Sequence, residues 1–566
     1  MADGIADDML MKGDILVTYT TRSGHKISDR LAQEAFQTLS DKQIEALRSF
    51  GTEKEVKAGE FLYHSGDVAE DFHVILEGEV SIFDPHDEDG HDGYAGASAM
   101  IGEIGQLTEQ KALLSCQIKE SGRVLAVSRE GLMEAIATIP DIADNIITSF
   151  RARRDVLMIT STGILIIIGE ERSSEVQRIR QFAARSRIPH RYEFPNSESG
   201  QACIAAHDLK VDPVSVVIRG EKALENPTNL ELARAFGTDI KMRPDDQVDL
   251  AVVGAGPGGL AAAVYGASEG LNTVVIDDTA IGGQAGTSSR IENYMGFPIG
   301  ISGDHLAYRG QVQAIKFGAR FAVPRCAVAL KPDQKTDQSG YALELNDGDC
   351  FRARSVILAC GVQYRKLPLD RLTDFEGAGI YYAATKLEAR FCEGTDVYIV
   401  GGGNSAGQAA MYMSQYANHV YLLVRSDGLA SSMSQYLSQR LEADKQITIM
   451  THTEVTALHG EDTLSAITIL NNETEEQEKR ETQALFLMIG AAPFTDWLAD
   501  TLELDKKGFV LTGKDVGNDR AKYETSCPGV YAIGDVRANS VKRVASAVGE
   551  GSVVVSDVHK FLAEDR

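Results

Sequence analysis

The segment DLAVVGAGPGGLAAAVYGASEGLNTVVIDD, residues 249–278, constrains this chain more than any other. An apolar run of strand length enters a glycine turn, a helix of small residues follows, and a second apolar run ends in two acids. Gly254 permits the tight turn, Gly256 lets the backbone approach a pyrophosphate, and Gly259 lets the helix pack on the sheet; Ala255, Pro257 and Gly258 complete the turn. The helix amino terminus then turns its dipole and free N–H groups toward the phosphates. Asp277, with Asp278 beside it, ends the second run 23 residues after Gly254, where a carboxylate accepts ribose hydroxyls. A second copy, TDVYIVGGGNSAGQAAMYMSQYANHVYLLVRSDG, spans residues 395–428. Gly401, Gly402 and Gly403 repeat the turn, Asn404 and Ser405 open the helix, and Ala406 takes the third small position. Its second run ends in Val424-Arg425, and an arginine there suits the 2′-phosphate of NADPH where an acid suits NADH. The chain is therefore expected to hold two nucleotides.

At 566 residues it should divide into three or more domains, because single cores stop growing at roughly 250–300 residues. Between about 39 and 157, short strands separated by Gly59, Gly66 and Gly78 predict a small β-barrel or jelly roll with flanking helices. The basic cluster Arg151, Arg153 and Arg154 reads as a solvated helix face. From 163 to 237 the pattern alternates strand and helix, beginning at GILIIIG, and KMRPDDQVD follows as a polar linker. A net charge of −26 disfavours nucleic acid and acidic membrane surfaces and favours a basic protein partner. The start MADGIADDMLMKGD lacks the features of a signal peptide, and no segment reaches the ~18 apolar residues of a membrane span. A cytoplasmic location is expected. None of the seven cysteines forms CxxC, and no Cys/His cluster has metal-ligand spacing, so neither a structural disulfide nor a metal is expected.

Several motifs resemble known families. AGEFLYHSGD, FHVILEGEVSIF and IGEIGQLTEQKALLSC resemble the cyclic-nucleotide-binding domain. The resemblance makes Gly102 and Glu103 the start of a phosphate-binding cassette, with Glu103 holding the ribose. The cassette arginine is missing, and Gln110 and Lys111 stand in its place; a lysine is a point charge and not a bidentate fork. A degenerate domain used for packing or regulation is preferred. The alternating region is similar to a thioredoxin or glutaredoxin domain. Its cysteine positions read Gly169-Glu170-Glu171-Arg172-Ser173-Ser174, and Pro213 corresponds to the family's cis-proline. Without a thiol at those positions it reads as an inert spacer or docking module.

From 246 to 562 the chain resembles the thioredoxin-reductase branch of the pyridine-nucleotide flavoproteins, through IGGQAGTSSRIENYMGFP, VILACGVQYRKL, GVYAIGDV and KRVASAVGEGS. The resemblance implies FAD at the first glycine turn and Asp277. Gly283, Gln284 and Asn293 then face the isoalloxazine side, Gly361 lies in the domain-crossing segment, Gly534 and Asp535 meet the ribityl and pyrophosphate oxygens, and Arg543, Val544, Ala547 and Val548 reach the flavin. NADPH is implied at the second turn and Arg425, while Ser426 and Ala430 replace two other family arginines; Arg440 is a further candidate for the phosphate. The implied organisation is an N-terminal tail 1–26, a cyclic-nucleotide-binding-like domain 27–157, a thioredoxin-like domain 163–240, a split FAD domain 246–365 and 491–566, and an NADPH domain 366–490 that rotates on linkers near 364–367 and 490–493. A two-fold dimer is also implied.

One departure decides the functional reading. Where the family carries Tyr-Cys-Ala-Thr-Cys-Asp-Gly, this chain has Tyr382-Ala383-Ala384-Thr385-Lys386-Leu387-Glu388, so Ala383 and Lys386 occupy the redox cysteine positions. No catalytic residue is assigned. The leading expectation is a reductase that passes electrons from NADPH through FAD to another acceptor: a ferredoxin, a flavodoxin, a quinone or another small oxidant. The layout resembles thioredoxin-reductase-like ferredoxin or flavodoxin reductases, which also lack the pair. Two alternatives stand beside it: disulfide reduction through Cys360 working with Cys392, and a redox or nucleotide sensor controlled by the N-terminal domain.

Overall fold

The computed structural model describes residues 27–564, apart from 69, 86–92, 109, 161–163, 172, 241, 244–245, 289–290, 292, 334–339, 385, 430–432 and 462, together with the backbone of 15–16. The expectations for the tail 1–26, for Arg172 and Ala430 and for the Lys386 side chain fall outside the described residues.

The first unit is an antiparallel seven-stranded sheet whose long members, Asp71–Phe83 and Ser115–Ser128, pair along most of their length. Glycines make its tight bends: Gly78 has φ +93°, and a Cβ there would lie 2.5 Å from the Glu120 carbonyl oxygen. The helices Arg129–Thr138 and Pro140–Thr160 close the barrel. The second unit is a four-stranded sheet in the order Lys222–Glu225, Val214–Ile218, Leu165–Gly169, Arg191–Glu193, with only the last pair parallel. The strand Lys222–Glu225 is one that the alternation in the sequence does not reveal. Asp212–Pro213 is a cis peptide immediately before the strand Val214–Ile218.

The remaining chain builds two sheets with parallel centres, the first extended by the antiparallel strands Tyr341–Leu345 and Ala327–Pro332. In one, Arg320–Ala322, Thr273–Ile276, Gln247–Val253 and Cys350–Leu358 lie side by side, and Val530–Ala532 from near the end of the chain adds parallel to Cys350–Leu358. In the other, Ile380–Tyr381, Leu485–Leu487, Asp396–Val400, His419–Leu423 and Ile447–Met450 are all parallel, with a three-stranded antiparallel sheet beside them. The central strands of both sheets are largely apolar because both faces are covered, one by helices and the other mainly by antiparallel strands. A short antiparallel ribbon, Gln363–Tyr364 against Ala491–Ala492, carries the chain out of the first sheet and back.

The units share cores and ion pairs. Tyr308, Val312 and Ile315, on the helix Gly303–Lys316 of the first parallel sheet, are buried among Leu107, Leu132 and Phe150 of the barrel. Arg187 of the second unit pairs with Asp155 at 2.7 Å and Asp304 at 3.2 Å, and its guanidinium lies 4.3 Å from the Tyr308 ring centroid. Fully buried Arg325 binds Asp239, Asp347 and Asp349 at 2.7–2.9 Å, so the chain leaving the second unit is tied to the sheet that follows.

Candidate functional site

The first glycine turn has the geometry its sequence demands. Gly254 has φ +109°, and a Cβ there would meet the Ala359 carbonyl oxygen at 2.3 Å. A Cβ on Gly259 would lie 1.8 Å from the Gly254 oxygen, so only glycine lets the helix Pro257–Ser268 pack this closely. Gly256 differs in kind. It caps the helix in extended conformation, and the space where its Cβ would stand is empty. Its backbone is open to a ligand, as a bound pyrophosphate requires.

A cleft of about 340 Å³ opens beside this turn, lined by Gly254, Asp277, Asp278, Gly283, Gln284, Cys360 and Tyr364 among others. Asp277 accepts from the Ala255 N–H at 2.8 Å through one oxygen and from the Thr279 and Ala280 N–H groups at 3.0 and 3.1 Å through the other. Burial and the neighbouring Asp278 carboxylate push its acid constant up to about 6, against these hydrogen bonds and Arg185. The Gln284 amide donates to the Val362 carbonyl, joining the loop to the crossover segment that holds Gly361, at φ +64°. Asn293 is exposed and does not line the cleft. The chain's last helix, Val544–Glu564, starts against the same turn: a Cβ on Gly258 would lie 3.2 Å from the Ala547 oxygen, and one on Gly534 would lie 3.5 Å from the Ala547 Cβ. Val544, Ala547 and Val548 are half-buried there, whereas Arg543 is exposed. Asp535 follows on a short 3-10 turn, its acid constant raised by burial and restrained by Lys542.

The second turn is built likewise. Gly401 has φ +145°, where a Cβ would lie 2.4 Å from the Met488 oxygen, and extended Gly403 caps the helix Asn404–Met413. The Asn404 side-chain oxygen accepts from the Ser434 N–H at 2.8 Å, and Ala406 is fully buried. Arg425 is exposed at the end of its strand, while Arg440 lies over Tyr436 on its own helix.

Residues 248–551 match the family described as pyridine nucleotide-disulphide oxidoreductase. The chain belongs to this family. Thioredoxin reductase from Mycolicibacterium smegmatis is 31% identical over 317 residues, 56% of this chain and 97% of the relative, and that of Mycoplasmopsis pulmonis is 33% identical over 314 residues, 54% and 94%. A crystal structure of Lactococcus lactis thioredoxin reductase matches with a TM-score of 0.50 at 25% identity, covering 56% of this chain and 99% of its own. The chain is an NAD(P)H-dependent flavin oxidoreductase of thioredoxin reductase type, and FAD and NADPH are the cofactors of that type. Residues 53–138 match the cyclic nucleotide-binding domain.

The cassette of that domain is occupied from within. Glu103 is buried and pairs with Arg153 at 2.9 Å, and Arg153 also donates to the Ala35 and Met100 carbonyls. Arg154 is buried too and donates to Gln110, while Arg151 pairs with Glu34. The expected solvated face is therefore corrected: the helix Pro140–Thr160 packs these arginines inward, Arg153 against the buried Glu103, while Arg154 keeps a buried Nη1 without a partner among the described residues. Lys111 faces the second unit, where its N–H donates to the Phe236 carbonyl and its stem packs on Gly237.

Two features of the site escape sequence reasoning. Tyr382, the residue before Ala383, stacks on the ribbon residue Tyr364 with centroids 5.6 Å apart and planes 12° apart, and its hydroxyl donates to Glu376. Arg185 enters the cleft from the second unit. No local pattern marks either contact.

Proposed function

We propose that this chain takes reducing equivalents from NADPH through FAD and delivers them to an acceptor other than a disulfide of its own, such as a one-electron protein carrier or a quinone. Together the two cofactors supply hydride transfer, which needs no thiol. The observation that carries the reading is the pairing of an intact, open nucleotide cleft with a cysteine-free segment 382–388. In this reading Gly254, Gly256 and the helix they start receive the FAD pyrophosphate, and Asp277 receives the ribose. Gly283, Gln284, Gly361, Asp535 and the start of the last helix enclose the rest. Gly401, Gly403 and Arg425 receive NADPH on the inserted sheet, which turns on the ribbon at Tyr364 and Ala491 to bring its nicotinamide to the flavin.

The two thiols named for disulfide exchange do not favour it. Burial pushes the Cys360 thiol up to about 12, so it stays protonated at neutral pH. Cys392 is fully buried in the core of the inserted domain. The acidic charge favours a basic protein acceptor, the absence of any membrane-spanning helix among the described residues fits a cytoplasmic site of action, and two-fold pairing follows the family. A survey of acceptors after NADPH reduction tests the reading: ferredoxin, flavodoxin or quinone should be reduced at least tenfold faster than thioredoxin. Fast thioredoxin reduction overturns it.

A second reading gives the barrel control over turnover, because it shares a core with the helix Gly303–Lys316. Cyclic AMP or GMP that changes the rate of NADPH oxidation supports this control; an unchanged rate leaves the barrel a packing domain.

A further inference from the structure

The second unit, which has no cysteine at its family's redox positions 169–174, contributes one charged side chain to the nucleotide cleft. Arg185 stands in the last turn of the helix Ser174–Arg185, whose Val176, Ile179, Phe182 and Ala183 are buried in that unit's own core. The helix is thus anchored on one side, and its final residue reaches across to the neighbouring sheet. Arg185 Nη2 donates to the carbonyls of Ala280 at 3.2 Å and Gly283 at 3.0 Å. A Cβ on Gly283 would lie 3.1 Å from the Gly256 Cα, so these carbonyls border the glycine whose backbone is open at the helix start. The guanidinium lines the same cleft as Gly254, Asp277 and Gln284.

Its neighbours leave it incompletely matched. Two carbonyls are neutral acceptors, and Arg185 Nε is buried without a hydrogen-bond partner among the described residues. Asp277 and Asp278 are both close enough to act on it electrostatically, but both Asp277 oxygens accept from backbone N–H groups and one Asp278 oxygen accepts from the Thr279 hydroxyl. A guanidinium withdrawn from water with an unused donor is unfavourable unless an anion completes it. The fork geometry of arginine matches phosphate oxygens in particular.

We propose that Arg185 binds the pyrophosphate of FAD, so that the second unit acts as a clamp on the cofactor and not as an inert spacer. The proposal rests on the reading of the cleft as the FAD site. The glycine turn supplies backbone N–H groups and a helix dipole; Arg185 adds the full positive charge that the turn lacks. A unit without its family's redox cysteine pair then has a function that requires only its fold and its docking.

Titration of the full-length apoprotein with FAD, and with ADP as competitor, tests this without any turnover measurement. Arg185→Gln should weaken FAD and ADP by a similar factor, about 10- to 100-fold, because both carry the pyrophosphate, and Arg185→Lys should recover part of the loss. Apoprotein melting should stay within a few degrees of the parent, which separates lost contact from lost fold. Affinities within about twofold of the parent in Arg185→Gln overturn the proposal. So does a loss for FAD that ADP does not share, since Arg185 would then act through the loop and not on phosphate. A parent apoprotein that takes up neither ligand overturns the reading of the cleft itself and the proposal with it.

Discussion

Two nucleotide cups in this chain share a plan, a glycine turn with an acid at hand, yet they differ in what meets the acid. In the barrel, Glu103 is neutralised by Arg153 from the chain's own helix. Beside the first sheet, Asp277 accepts from backbone N–H groups, with Arg185 acting on it from a distance, and the cleft in front of it is open. A binding motif survives in sequence whether or not the fold has filled it; the difference lies in which side chains arrive from distant segments.

The comparison breaks most visibly at the filled cup. Arg153→Met leaves a buried carboxylate unpaired and should lower barrel stability by about 3–5 kcal/mol, with most of it regained in Arg153→Met/Glu103→Leu. Chemical denaturation of the three proteins measures this. A loss below about 1 kcal/mol would mean that Glu103 is not held as described. At the open cup, Gly259→Ala forces a methyl group against the Gly254 oxygen and should cost about 1–3 kcal/mol and release FAD; flavin absorbance of the purified protein reports it.

The acid itself gives a smaller, pH-dependent effect. Asp277 has a folded acid constant of about 6, above its unfolded value near 4. Its contribution to apoprotein stability is therefore present below pH ~4 and lost as pH rises through ~6, by about 1–3 kcal/mol. Asp277→Asn should flatten that slope, measured by apoprotein melting between pH 4 and 7. FAD affinity should move the opposite way, strengthening as the carboxylate ionises. The smallest effect belongs to exposed Arg425, where Arg425→Ala should reduce the preference for NADPH over NADH only several-fold, read from the two kcat/KM values.

The sequence made local features legible. Gly254, Gly259 and Gly401 are forced by backbone geometry within a strand–turn–helix unit, and Asp277 lies at a fixed distance from it. What stayed hidden is contact between remote segments. Arg153 meets Glu103 across 50 residues, and Arg185 meets Gly283 across 98. Arginine on a helix reads as solvated until a fold supplies a buried acceptor, which is why the cluster 151–154 was expected on the surface. Asn293, exposed in the structure, is assigned to the flavin by its motif alone.

The central claim, entry of hydride without a resident dithiol, is tested most directly by anaerobic titration of the FAD-loaded protein with NADPH. A CxxC pair stores two electrons beyond those of the flavin. This chain should therefore bleach fully with about one NADPH per FAD and consume no more. A requirement for about two equivalents, or a flavin that stays oxidised, would contradict it.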